Sequence, residues 1–186
     1  MFCDSKFIFR FKEKLILIVK IINPYLKKLS ESCPETISAS VLEFNEIRYI
    51  VRFESSEPLR VSIGEGTKFP VHCTATGKVL LSALSNEQLE KMYDGLENIL
   101  TLTNNSIGSF TRLLKEFKGV RNENLALDFE EVLVGVNCVA RPVRDSKNEI
   151  LTAISISGPV SRMTKQKMLK FAELLQDTSA KISKEI

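Results

Sequence analysis

Two short runs carry small polar side chains where a packed core would carry branched ones. From Val136 to Val143 the residues alternate as in a strand, which puts Val136, Cys138 and Ala140 on one face. The run from Ile150 to Arg162 places Ala153, Ser155 and Ser157 on one face and Ile150, Ile154 and Ile156 on the other. Leu125 to Asp145 and Ile150 to Arg162 together read as one hairpin with a bulky face and a small polar one. Protein cores pack to crystal-like density, so a facing set of Ser, Ser, Cys, Ala and Val leaves room for a small molecule. The two serine hydroxyls can donate or accept, which suits carboxylate and hydroxyl oxygens alike.

Other residue types invite sharper chemistry. His72, the only histidine, stands beside Cys73 and suggests a thiol-imidazole nucleophile or a zinc ligand set. Adjacent residues on an extended chain point opposite ways, which weighs for a structural role instead. Cys138 has the chemistry of a redox thiol, yet no basic neighbour lowers its pKa, so a small side chain in a cavity wall is the stronger reading. Glu130 and Glu131 beside Asp128 have the residue types of paired catalytic acids, but exposed loops carry the same types. No catalytic residue, metal site or cofactor is assigned.

The elements that must position these residues follow from periodicity. Apolar residues at Ile18, Ile21, Ile22, Tyr25, Leu26 and Leu29 predict an amphipathic helix from Lys14 to Cys33, with Pro24 a kink or fresh start. Residues 1–12 have no convincing period. Thr36 to Glu43 alternates, with Ile37, Ala39 and Val41 on one face, and Ile47, Tyr49, Val51 and Phe53 repeat the pattern, which predicts a hairpin. A third strand is expected at Leu59 to Ile63, ended by Gly64 and Gly66. Helices are expected at Thr76 to Leu84, at Asn86 to Tyr93 behind a Ser85/Gln88 capping box, and from Ser109 through Phe117 with Gly119 near its end. Thr164 caps a last helix running through Met168, Ala172, Leu175 and Ile182. This order indicates an α+β fold: an antiparallel sheet with helices packed on it.

The 186 residues, 44% hydrophobic and 26% charged, suit one soluble domain. Residues 1–29 hold seven basic and two acidic side chains, and the remainder has slightly more acids than bases, so the body of the chain offers no electrostatic footprint for nucleic acid. Four scattered cysteines without Cys-x-x-Cys spacing point to a reducing cytoplasm. The apolar segment from Leu15 to Ile22 is too short to span a bilayer, and Lys20 interrupts it. No small-x-small cleavage pattern follows it, which weighs against a signal peptide.

The string from Phe69 through Cys73, Thr74, Ala75, Thr76, Gly77 and Lys78 to Leu81 resembles the loop-to-helix segment of the effector-binding domain of IclR-type transcriptional regulators. Asp128-Phe129-Glu130-Glu131, then Gly135 to Val143, then Ile154 to Pro159 with Ser161, Arg162 and Thr164, resemble that family's C-terminal signature in order and spacing. Asn124, where Gly or Ala is common, and Arg144, where an aromatic is common, depart from the pattern. The resemblance implies a GAF-like domain over 34–186, a linker and dimerisation helix over 14–33 and an unassigned extension over 1–13. It implies that Thr76, Gly77, Asp128, Val136, Cys138, Ser155 and Ser157 line an effector pocket. Gly77 is expected to let a ligand approach the backbone at a helix start, where unpaired N–H groups favour a carboxylate. Asp128 is the awkward member, because an ionised carboxylate would repel an acid. The implied partners are a small organic or aromatic acid and further copies of the chain in a homodimer or homotetramer. DNA is expected to be reached only through a winged helix absent from this chain, and no membrane is involved. A thiol-dependent GAF-like enzyme and a ligand-free dimerisation module are the alternatives.

Overall fold

The computed structural model describes residues 5–43, 45–63, 68–93 and 99–186. Helix α1 (Ser5–Ser32) begins earlier than the periodicity predicts and passes through Pro24 without ending. Lys20 and Pro24 are both exposed, so the carbonyl that loses its partner at the proline lies on the solvated side. Ile18, Ile22, Leu26 and Leu29, spaced by three or four residues, are buried against the sheet.

Strands β1 (Thr36–Glu43) and β2 (Glu46–Phe53) form the expected hairpin. One detail differs. Ala39 pairs with Val51 and Ser40 with Tyr49, leaving Ile50 as an extra residue. A bulge of this kind reverses the facing of the residues on either side of it, so Ile47 and Tyr49 lie on one side of the sheet and Val51 and Phe53 on the other. The strand expected at Leu59 to Ile63 does not form. The Val61 carbonyl accepts instead from Thr36 Oγ1 at 3.2 Å and Arg52 Nη2 at 2.9 Å, so this segment is pinned by side chains rather than by a ladder. Gly64 and Gly66, expected to end that strand, lie outside the described residues.

A single 3-10 turn, Val71–Cys73, leads into α2 (Ala75–Leu81), which is shorter than the predicted Thr76 to Leu84. Thr74 caps it, its Oγ1 accepting from the Gly77 N–H at 2.9 Å. Before α3 (Asn86–Tyr93) the capping box is complete: Ser85 N–H donates to Gln88 Oε1 at 2.8 Å and Gln88 N–H to Ser85 Oγ at 3.2 Å. Helix α4 (Phe110–Glu123) runs through Gly119 and stops at Asn124, whose φ of +49° is left-handed. The Arg144 guanidinium donates to Asn124 Oδ1 at 2.7 Å, so the two positions that depart from the family pattern hold each other.

Strands β3 (Ala126–Phe129), β4 (Val136–Arg144) and β5 (Ile150–Pro159) complete a five-stranded antiparallel sheet in the order β2-β1-β5-β4-β3. Helix α5 (Lys165–Ile182), capped by Thr164 Oγ1 accepting from Lys167 N–H at 3.3 Å, lies with α1 over one face. Helices α2, α3 and α4 cover the other. The architecture is the expected α+β: a sheet between two helical layers, each with its own apolar core.

Candidate functional site

Directly opposed residues on neighbouring antiparallel strands share a face of the sheet. On the α2 side, one row reads Thr36, Ser157, Cys138, Asp128, and the next Ser38, Ser155, Ala140, Ala126. On the α1/α5 side the rows read Ile37, Ile156, Val139, Leu127 and Ala39, Ile154, Arg141. The asymmetry read from β4 and β5 therefore extends across four strands. Ile150 is an exception to the expected facing. Arg144 pairs with Ile150 while Val143 pairs with Thr152, so Leu151 is bulged and Ile150 turns to the α2 side.

Above the small row lies a cavity of about 50 Å³. Cys138, Ser155, Ser157 and Asp128 form its floor, and Thr74, Ala75 and Thr76 at the start of α2 form its roof. Tyr49, Val61, Ile63 and Phe69 close one side, and Val132, Leu133 and Val136 the other. Six of the seven positions named from the sequence thus meet at one cavity: Thr76, Asp128, Val136, Cys138, Ser155 and Ser157. Gly77 does not line it. Its N–H is committed to Thr74, and an added Cβ would collide with the Val71 carbonyl, so close passage of the 3-10 turn is what demands glycine there.

Asp128 is only 4% exposed. Burial pushes its carboxyl up to about 7, and the neighbouring Glu131 charge adds to that, against the opposing pull of the Glu131 N–H and of Lys78. The Glu131 N–H donates to Asp128 Oδ1 at 2.7 Å. Beside it, Lys78 is 1% exposed and spends all three of its protons. Its Nζ donates to Glu131 Oε1 at 2.5 Å, to the Leu127 carbonyl at 2.6 Å and to Glu116 Oε1 at 3.2 Å. Burial works against the Lys78 charge, but Glu131 and Glu116 outweigh it and hold the ammonium above the ordinary lysine range.

Glu131, read from the sequence as a solvated loop carboxylate, is in fact a buried ion-pair partner. The signal that could have exposed it is Lys78 itself, a lone charge in the apolar run Val79-Leu80-Leu81, since a cation buried there requires a carboxylate. Glu130 instead shapes the β3–β4 turn: at φ +58° it accepts the Gly135 N–H at 2.7 Å. Of the cavity's sides, Val61, Ile63, Phe69, Val132 and Leu133 were missed because they come from loops, which have no period. Tyr49 was missed because the bulge turns it.

His72 and Cys73 do not form a reactive pair. His72 Nε2 lies 2.9 Å from the Leu100 carbonyl, and Cys73 Sγ lies 3.9 Å from the same oxygen. Burial lowers the imidazole's basicity and pushes the Cys73 thiol up to about 11. Burial, then the Asp128 charge, drives the Cys138 thiol well above its ordinary value.

Known proteins share this fold. The chain is 30% identical over 168 residues to the HTH-type transcriptional repressor AllR of Escherichia coli K12, covering 89% of this chain and 61% of AllR. It thus spans less than two thirds of that relative. The C-terminal domain of the E. coli regulator KdgR superposes with a TM-score of 0.78 at 28% identity, over 89% of this chain and 96% of that one. The inducer-binding domain of a PobR double mutant from Acinetobacter, in complex with 3-hydroxybenzoic acid, gives a TM-score of 0.81 at 27% identity, over 90% and 98%. The family described as bacterial transcriptional regulator IclR C-terminal matches residues 14–184, and this chain belongs to that family.

Proposed function

We propose that this chain is the effector-sensing part of a bacterial transcriptional regulator and that its ligand is a small organic acid held in the cavity beneath α2. The observation that carries this reading is the undersized polar floor, Cys138, Ser155 and Ser157, facing a void in a molecule whose opposite sheet face is densely filled. Thr76, Asp128, Val136, Cys138, Ser155 and Ser157 are the proposed ligand contacts, and Gly77 supports the roof from behind. Hydroxyls of Ser155, Ser157 and Thr76 supply donors for ligand oxygens. A void of about 50 Å³ takes about four waters at roughly 10–15 Å³ each. That favours a short aliphatic acid over an aromatic one.

Occupancy can act only by binding two conformations unequally. Closure of residues 59–63 and 68–76, the described parts of the stretch before and into α2, and of the Asp128 to Val136 turn over the ligand is the proposed lever, passed to α1 through the sheet. Homo-oligomers carry the signal, and DNA is contacted through a separate domain of the kind AllR's name denotes. Such a regulator works in the cytoplasm, and no described helix is long and apolar enough to cross a membrane. No reaction is assigned, since the thiol-enzyme alternative needs a reactive cysteine and burial raises both Cys73 and Cys138.

Thermal unfolding with glycolate, pyruvate, lactate and 3-hydroxybenzoate tests this. At about a hundred times Kd a specific ligand stabilises by about 2.7 kcal/mol. A raised Tm with at least one short acid is expected, and a flat response to all four overturns the reading in favour of a ligand-free dimerisation module.

A further inference from the structure

The cavity has no cation of its own. Among the described lining residues none is Lys, Arg or His, and the sequence between Ile63 and Lys68 contains no basic residue. Two cations stand nearby, and both are engaged. Lys78 is saturated by Glu131, Glu116 and the Leu127 carbonyl. Arg52 does not line the cavity: its guanidinium is 5.6 Å from the centre of the Tyr49 ring, Nη2 donates to the Val61 carbonyl, and the buried Nε, which has no hydrogen-bond partner among the described residues, keeps its charge paired with Glu54 at 3.7 Å. The charged or titratable groups that Asp128 meets among the described residues are therefore Glu131 from its own turn, Lys78 from α2, Cys138 from β4, Tyr49 from β2 and Cys73 from the 3-10 turn. A buried anion placed beside buried Asp128 would leave two negative charges with no free countercharge, an arrangement that two carboxyl groups resolve by sharing one proton.

We propose that Asp128 is the specificity-determining residue for ligand charge: the cavity takes an acid together with one proton, held between the ligand carboxylate and the Asp128 carboxyl, and so discriminates by protonation rather than by a basic side chain. No bond other than to that proton is made or broken, and the proton comes from solvent or is already on Asp128. This deepens the acid-sensing reading and rests on it. Near neutrality the empty site is partly protonated, since Asp128 sits at about 7. Binding a second carboxylate raises the pair's affinity for the proton, so uptake grows as pH rises and vanishes under acidic conditions.

Calorimetric titration of glycolate, pyruvate, lactate and 3-hydroxybenzoate in phosphate and in Tris, whose ionisation heats differ, measures the protons exchanged. For whichever acid binds, uptake of roughly half to one proton is expected slightly above neutral pH, with affinity flat in mild acid and falling about tenfold per pH unit above neutrality. Asp128→Asn, which keeps the acceptor for the Glu131 N–H, should abolish both the uptake and the slope. The wild-type proton count stands even if that variant folds poorly. Acid binding with no proton exchanged and a flat pH profile overturns the inference while leaving the sensing role intact. No heat from any of the four acids removes the acid reading and this inference together.

Discussion

The two faces of the sheet are built from the same strands to opposite ends. Under α1 and α5, Ile37, Ile154, Ile156, Val139 and Val143 are all fully buried and interlock with Ile22, Leu26, Met168 and Leu175. Under α2 the facing rows carry Ser, Thr, Cys, Ala and Asp, and part of the space is left as a void. The first face supplies stability by burying apolar surface, at about 25 cal/mol per Å². The second gives some of that up, since Ser38 Oγ and Ser40 Oγ are buried without a hydrogen-bond partner among the described residues. A fold can carry such a face only because the opposite one is well packed.

Substitutions can break or sharpen this contrast. The largest loss is expected at the charge cluster beside the cavity: Lys78→Met leaves Glu131 buried without its partner and should cost about 3–5 kcal/mol in urea unfolding. On the packed face, Ile156→Ala should cost about 2–5 kcal/mol by leaving a hole that neighbours cannot fill. A drop on a comparable scale is expected from pH. The carboxyl of Asp128 titrates near 7 in the folded chain against an ordinary 3.8, so the folded chain binds more protons than the unfolded one between those values. Stability contributed by this group is therefore full below pH 3.8, falls as pH rises towards 7 and is lost above it; Asp128→Asn should flatten that slope in the urea midpoint. Gly77→Ala, colliding with the backbone of Val71, should cost about 1–3 kcal/mol. The smallest change belongs to the cavity floor, where Ser157→Ala should alter stability by less than about 1 kcal/mol because the hydroxyl faces a void rather than a packed neighbour. An equal cost for Ser157→Ala and Ile156→Ala would erase the distinction between the faces.

This contrast was legible in the sequence because it is written in period two. Cys138, Ser155 and Ser157 against Ile154 and Ile156 state it directly, and Ser85 with Gln88 states a helix start with equal clarity. What the sequence concealed are the bulges at Ile50 and Leu151, each a single inserted residue that leaves the alternation looking intact while turning Tyr49 and Ile150 to the α2 side. Side chains on loops were equally hidden. Val61 and Phe69 reach the cavity from segments outside the ladder, and the bonds that pin Val61 come from side chains, which have no periodic signature. Gly77 was singled out for the right property, absence of Cβ, but the group that approaches it is the Val71 carbonyl rather than a ligand.

The central claim, that the undersized face is kept open for a small acid, is tested most directly by titrating the Ser155→Leu/Ser157→Leu double variant with the short acid that stabilises the wild type. Leucine at both positions makes the α2 side resemble the packed one and fills the void. A folded variant that no longer binds the acid is the expected result; a folded variant that binds it with unchanged affinity contradicts the assignment.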